Sequence, residues 1–231
     1  VVATSRYELY WMWSLQYSSS SWIMLLDARD AYFQSNPFQN LPKEEIEEIK
    51  SGLLYFFGEN VNATRLGWSV KNRKWLERGY SLHVLDQLRE KPTICSGSTM
   101  GQQIALQVYL RAMVNEWDET HILMKGADQG FHNYLYYTHK LLAAPEIASI
   151  RVFAQGKGAI NNLGALRKFK LVDLGIYNLS TRLVSNWDGS ISPVVHQWDR
   201  DGHLYHYTEQ VVWKQHKLEW EMYLNQTTTS R

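Results

Sequence analysis

The amino-acid sequence predicts an α/β fold built as a single domain, and three observations carry that reading. Apolar runs of strand length, Trp22-Ile23-Met24-Leu25-Leu26 and Leu53-Leu54-Tyr55-Phe56-Phe57 among them, alternate with longer stretches at helical spacing. A chain of 231 residues can bury one large core. No repeat, low-complexity segment or linker divides it.

Taken in order, residues 6–17 set Tyr7, Tyr10, Trp11, Trp13 and Leu15 among few polar residues and predict a buried helix. Residues 18–21 are all Ser except Tyr17 before them, and they end it. The run from Trp22 to Leu26 is bounded by Ser21 and Asp27 and reads as a strand buried on both faces, as in a parallel sheet. Asn36-Pro37-Phe38 is a turn, residues 41–45 open a short helix, and residues 53–57 form a second strand. Residues 72–88 have helical spacing. Pro92-Thr93-Ile94-Cys95 is a short strand that stops at Ser96-Gly97, and residues 99–117 form a helix of about five turns. A further helix is expected over 128–142, a strand over 150–153 and a loop over 155–158. Strand pieces at 171–174 and 191–196 precede a last helix over 208–223 and a polar tail over 227–230.

Composition excludes several classes. The net charge of +1 gives no polyanion-binding surface, so nucleic acid is not an implied partner. The single cysteine, Cys95, rules out a disulfide within this chain and a cysteine-rich zinc site. No apolar run reaches the roughly 18 residues that a membrane-spanning helix needs. The 10 Trp and 14 Tyr are either large core side chains or platforms that stack on sugars or bases, and composition does not choose. The chain opens Val1-Val2-Ala3 without an initiator Met and passes at once into a helical pattern. That suggests a fragment, with any signal peptide or membrane anchor before Val1.

Five segments offer chemistry. Asp27 and Asp30, with Arg29 between them, follow an apolar strand, and ligand sites in open α/β sheets lie at the carboxyl ends of strands. Their oxygens suit Mg²⁺ or Mn²⁺; the competing reading is a capped turn with a surface Asp–Arg pair. His196 directly follows Val194-Val195 and offers a nitrogen to the same ion, unless it is a structural histidine. Asp128-Gln129 opens a helix and either caps it or holds sugar hydroxyls. Ser96-Gly97 stands between a strand and a helix and allows close backbone approach to a ligand, or makes only a tight connection. Gln155-Gly156-Lys157-Gly158 with Asn161-Asn162-Leu163-Gly164 lacks the Walker pattern and reads as ordinary turns. Three sequons, at Asn62, Asn178 and Asn225, permit a secretory location.

In this order the segments resemble a nucleotide-sugar glycosyltransferase of the GT-A fold, a Rossmann-like mixed sheet flanked by helices. The order is similar to that of glycogenin-like and galactinol synthase-like retaining enzymes, which carry an Asp-x-Asp metal motif, an Asn/Ser-Gly segment, an Asp-Gln-x-x-x-Asn segment and a late metal-binding His. The text Asp27-Ala28-Arg29-Asp30-Ala31-Tyr32-Phe33-Gln34-Ser35-Asn36-Pro37-Phe38 is more similar still to uncharacterised eukaryotic and algal sugar transferases, as are Cys95-Ser96-Gly97-Ser98, Asp128-Gln129-Gly130-Phe131-His132-Asn133 and Val195-His196-Gln197-Trp198-Asp199-Arg200. The likeness spans roughly residues 6–205.

The resemblance implies a single catalytic domain over 1–231, the back two-thirds of a GT-A domain whose nucleotide-binding βα units precede Val1. It implies Asp27, Asp30 and His196 as ligands of Mn²⁺ or Mg²⁺, and Asp128 and Gln129 as catalytic residues beside the transferred sugar. Arg6, Arg29, Ser96, Gly97 and Asn133 would bind substrate. The donor would be a nucleoside diphosphate sugar, the acceptor a glycan or glycoprotein hydroxyl, the outcome retention, and the compartment the Golgi or secretory lumen. The spacing departs from the family in one respect: it is Asp-x-x-Asp, with Arg29 in the usual second position. Two other classes remain open on the residues alone, a non-catalytic sugar-binding module and a metal-dependent phosphoester hydrolase. The hydrolase needs a denser His/Asp cluster than this sequence offers.

Overall fold

The structure, a computed structural model, describes residues 2–39, 41–49 and 51–228. In chain order, α1 (Val2–Ser14) leads to β1 (Trp22–Leu26), a 3-10 turn (Ala28–Asp30) and β2 (Ala31–Phe33). Next come α2 (Lys43–Ile49), β3 (Leu53–Gly58), α3 (Val70–Gly79), α4 (Leu82–Leu88), β4 (Ile94–Gln102), α5 (Gln103–Thr120) and α6 (Ala127–Tyr137). The last third holds β5 (Ser149–Phe153), β6 (Ile160–Asn162), β7 (Val194–His196), α7 (Gly202–Tyr207) and α8 (Trp213–Thr228).

Two mixed sheets form. The larger has the order β1-β4-β3-β5 and the smaller β2-β7-β6. β4 runs antiparallel to both β1 and β3, and β3 is parallel to β5. The strands β1, β3 and β5 therefore point the same way, and their carboxyl ends share one edge of the sheet. The chain is α/β with mixed sheets flanked by helices, as the alternation of its apolar runs predicts.

β3 is central because its sequence is apolar throughout, and all six residues are buried. Successive side chains alternate between faces. Leu54 and Phe56 join Tyr7, Tyr109, Leu110 and Met113 under the helices. Leu53, Tyr55 and Phe57 face the other way and meet Met100, Ile160 and Val194 on the side of the smaller sheet. Each such side chain contributes roughly 1.5–3 kcal/mol by leaving water, so this one strand joins both halves of the core.

Several expectations need correction. α1 is a one-sided helix, with Tyr7 and Ser14 buried while Leu9, Met12 and Trp13 are exposed, as is Leu15 just beyond it. β1 is not a doubly buried parallel strand; it is a half-buried, antiparallel edge strand. β4 does not stop at Cys95. It continues through Ser96-Gly97-Ser98-Thr99 to Gln102, so Ser96-Gly97 is strand rather than a strand-to-helix connection, and the helix expected from Thr99 begins at Gln103. Small residues allow this: a Cβ on Gly101 would lie 2.9 Å from Leu54 Cδ1, and Gln102 Oε1 accepts the Leu53 N–H. Residues 72–88 divide into two helices, because the Ser81 hydroxyl caps α4 by accepting the Val84 N–H. The helix expected over 128–142 ends at Tyr137, before His139 turns left-handed at φ 59°. Residues 171–174 form turns, not strand, around the buried Leu171. The last helical stretch starts earlier than expected, at Gly202, and passes through a π turn (Thr208–Val212) into α8. Of the expected polar tail, Thr229 and Ser230 lie outside the described residues. No helix among the described residues is long and apolar enough to cross a membrane.

α6 is fastened to β4 by one side chain. Asn133, fully buried, accepts the Ile94 N–H at 2.9 Å and donates to the Ile94 carbonyl at 2.8 Å. Asn133→Ala leaves that buried N–H unpaired. The expected result is a loss of about 2–4 kcal/mol, seen as a lower urea midpoint; a midpoint unchanged from the parent would show that the fastening is dispensable.

Candidate metal centre

Asp27 ends β1, and its N–H donates to the Gly97 carbonyl at 2.9 Å. The next three residues make the 3-10 turn. A 3-10 helix has 3.0 residues per turn, so side chains at i and i+3 eclipse. The Asp-x-x-Asp spacing thus puts Asp27 and Asp30 on one side of the turn. β2 then pairs antiparallel with β7, with Ala31 opposite His196. That register brings His196 beside Asp30, its Nε2 3.6 Å from Oδ1. One ligand atom from each of Asp27, Asp30 and His196 lies within 4.8 Å of the others, the one such group among the described residues.

The tautomer of His196 follows from its neighbours. The Asn162 amide nitrogen donates to the carbonyls of Phe57 (3.0 Å) and Gly58 (3.3 Å). Its Oδ1 is therefore the acceptor, taking the Ser98 hydroxyl at 3.1 Å and facing His196 Nδ1 at 2.8 Å. Nδ1 must carry a proton, so in the neutral ring the Nε2 lone pair points at the carboxylates. Nε2 is buried and has no hydrogen-bond partner. A buried, orphaned nitrogen facing two carboxylates fits a divalent cation held by nitrogen and oxygen.

Gly97 makes the space. A Cβ there would sit 2.5 Å from Asp27 Oδ2 and 2.9 Å from His196 Cε1. Burial opposes ionisation of Asp30, but His196 in its protonated form, whose Nε2 proton a bound cation would replace, together with the guanidinium charges of Arg29 and Arg200, outweighs it and holds the carboxyl below its ordinary value. Burial pushes the Cys95 thiol far up, so it is inert despite lying 3.8 Å from His196 Nδ1.

A second polar group adjoins the first. Arg6 forms ion pairs with both Asp27 and Asp128, the latter at 2.9 Å. Asp128 also accepts the Ser96 hydroxyl at 3.1 Å, and Gln129 Oε1 accepts the Ser96 N–H at 2.7 Å. Burial raises the Asp128 carboxyl above its usual range, against the lowering effects of Arg6 and Ser96. Arg6, Tyr7, Asp27, Ser96 and Gly97 line a cleft of only about 10 Å³.

The structure thus gathers Arg6, Asp27, Asp30, Ser96, Gly97, Asp128, Gln129 and His196. The other two expected substrate contacts are placed differently. Arg29 is 73% exposed and pairs with Asp30 and Asp199. Asn133 spends its amide on Ile94 and the Gln129 carbonyl, which makes it a fastening rather than a lining residue. Two residues not singled out for this centre also belong here. Asn162 orients His196; an Asn doublet in a strand is the signal that marks it, since Asn is depleted in strands. Glu59 follows the apolar strand β3 as Asp27 follows β1, and it receives Gln129 Nε2 at 3.5 Å.

Compared with known proteins, the chain matches no family model, no curated protein and no solved structure.

Gly97→Ala is expected to weaken Mn²⁺ binding at least about tenfold by calorimetry while the far-ultraviolet circular dichroism is retained. Equal affinity would show that the three ligands do not converge on one ion. Burial pushes the Glu59 carboxyl up from 4.5 to about 7, with Arg167 opposing. A raised acid favours its protonated form in the fold, so stability falls as pH rises from 4.5 to about 7. Glu59→Gln removes that fall. It should stabilise the protein by roughly 1–3 kcal/mol at pH 8 and do little at pH 4, as read by thermal melting.

Proposed function

We propose that the protein is a metal-dependent glycosyltransferase that moves a sugar from a nucleoside diphosphate sugar to a glycan or glycoprotein hydroxyl with retention, on a GT-A-type fold. The observation that carries this reading is the Asp27, Asp30 and His196 group, in which a buried imidazole nitrogen without a partner faces two carboxylates. The order of motifs along the chain accords with it, as does the link from Asp27 through Arg6 to Asp128.

The mixed nitrogen and oxygen donors favour Mn²⁺ over Mg²⁺, which prefers oxygen alone. The chemistry that a divalent ion supplies in such a site is neutralisation of charge on the diphosphate leaving group. His196 would hold it through Nε2, and Asp27 and Asp30 through carboxylate oxygens. Arg6 offers a guanidinium that matches phosphate oxygens bidentately. Asp128 and Gln129, fixed by Ser96, would contact the hydroxyls of the transferred sugar. In the overall exchange the bond between sugar C1 and the diphosphate oxygen breaks. A bond from C1 to the acceptor oxygen forms, and the acceptor proton is released. The Golgi or secretory lumen is the compartment this activity implies, and the exposed sequon residue Asn178 accords with it.

The test is donor hydrolysis and transfer by the full-length protein, with and without Mn²⁺. Asp30→Ala combined with His196→Ala should lower the Mn²⁺-dependent rate at least about 100-fold. A rate that survives the double substitution overturns the metal assignment.

A further inference from the structure

The carboxyl ends of β1, β3 and β5 share one edge of the sheet, and the candidate metal centre takes up only the β1 end. At the β3 and β5 ends lies a groove of about 350 Å³, lined in part by Glu59, Asn60, Asn62, Gln155, Lys157 and Trp187. Small-molecule sites run to roughly 300–1,000 Å³, so it has the capacity for one sugar unit or more.

Trp187 gives the groove its character. The residue is 48% exposed, yet its ring is held in place. The indole N–H donates to Gln155 Oε1 at 3.1 Å, and the backbone N–H donates to the Gly156 carbonyl at 3.0 Å. The ring edge rests on Gly156, where a Cβ would come within 2.5 Å of Trp187 Cδ1, and the φ of +69° also favours glycine. Gln155 is itself buried and fixed, accepting from Asn60 at 3.0 Å and donating to Asn161 at 2.6 Å. An exposed indole fastened through a buried amide network is a rigid apolar face presented to solvent, with little entropy to lose on stacking.

Its polar lining suits an uncharged, hydroxyl-rich partner. Gln155 and Asn60 are spent on each other and on Trp187. Glu59, Asn62 and Lys157 remain, one acid, one amide and one amine. A nucleoside diphosphate would set two or more negative charges beside Glu59, where burial already opposes charge, with Lys157 in the lining and Arg167 near Glu59 in reply. A neutral sugar avoids that burden, since a carboxyl group, charged or not, and an amide both bind vicinal hydroxyls. The groove also connects to the proposed reaction centre, because Glu59 Oε1 receives Gln129 Nε2 and Gln129 Oε1 receives the Ser96 N–H.

We propose that this groove is a saccharide-binding subsite that stacks a neutral sugar ring on Trp187 and engages its hydroxyls through Glu59, and that it seats the acceptor of the transfer. The acceptor role rests on the glycosyltransferase reading; the saccharide affinity does not.

The test titrates the full chain, in EDTA, with neutral manno-, galacto-, xylo- and cello-oligosaccharides, reading tryptophan fluorescence and saturation-transfer NMR. One series is expected to bind. Trp187→Ala should weaken it at least about tenfold, and Trp187→Phe, which keeps a stacking face, no more than about threefold. Circular dichroism checks that both variants fold. No binding by any series, equal binding by Trp187→Ala, or displacement of the sugar by uridine diphosphate each overturns the proposal. Mn²⁺ calorimetry on Asp30→Ala tests the other reading separately. Failure there leaves a Trp187-dependent sugar site standing, and failure of the sugar titration leaves the metal result untouched.

Discussion

The Asn162 side chain joins two sheets that share no ladder. Its amide nitrogen holds the carbonyls at the end of β3, in the larger sheet, while its oxygen receives Ser98 from β4 and His196 from β7. Four polar partners from three strands meet on one buried amide. An amide has two donors and an oxygen with two lone pairs, so this is its full capacity. The orientation of the amide then fixes the protonated nitrogen of His196, and with it the direction of the free lone pair. The spacing between the sheets and the chemistry of the centre rest on the same group.

Around that group, burial and charge oppose each other. Arg6, Asp27 and Asp128 lie at least half out of water, and buried ion pairs of this kind rarely add net stability. Their value lies in placement. The core on either side of β3 supplies the stability that lets such a cluster persist, with Leu54 and Phe56 toward the helices and Leu53, Tyr55 and Phe57 toward the smaller sheet. The absence of a side chain at Gly97 lets β4 run close beside Asp27 without closing the site.

Much of this was legible in the sequence, for reasons that differ by residue. Asp27 and His196 each end an apolar strand, and the rule that ligands gather at the carboxyl ends of strands finds them. The Asp-x-x-Asp spacing departs from Asp-x-Asp, and it brings the two carboxylates together because a 3-10 turn aligns i with i+3. The extent of β4 was not legible. Ser, Gly, Ser and Thr in succession carry the composition of a loop, and only their neighbours, Leu54 above all, require small residues in a strand. Glu59 and the fastening role of Asn133 were hidden too, and the Asn161-Asn162 doublet marks an unusual strand without naming the partners of Asn162. Their partners lie 34 to 105 residues away in the chain, and no local pattern encodes such pairings.

Arg6 gives the centre an occupant of its own. Its guanidinium already engages Asp27, one of the three residues that would hold an ion, and bridges to Asp128. A cation that drew on Asp27 would compete with a covalently tethered rival whose local concentration never falls. Affinity at the centre would then be a difference between two associations rather than the strength of one. Weakly charged or poorly fitting ions would lose that contest, and Arg6 would act as a filter on what enters.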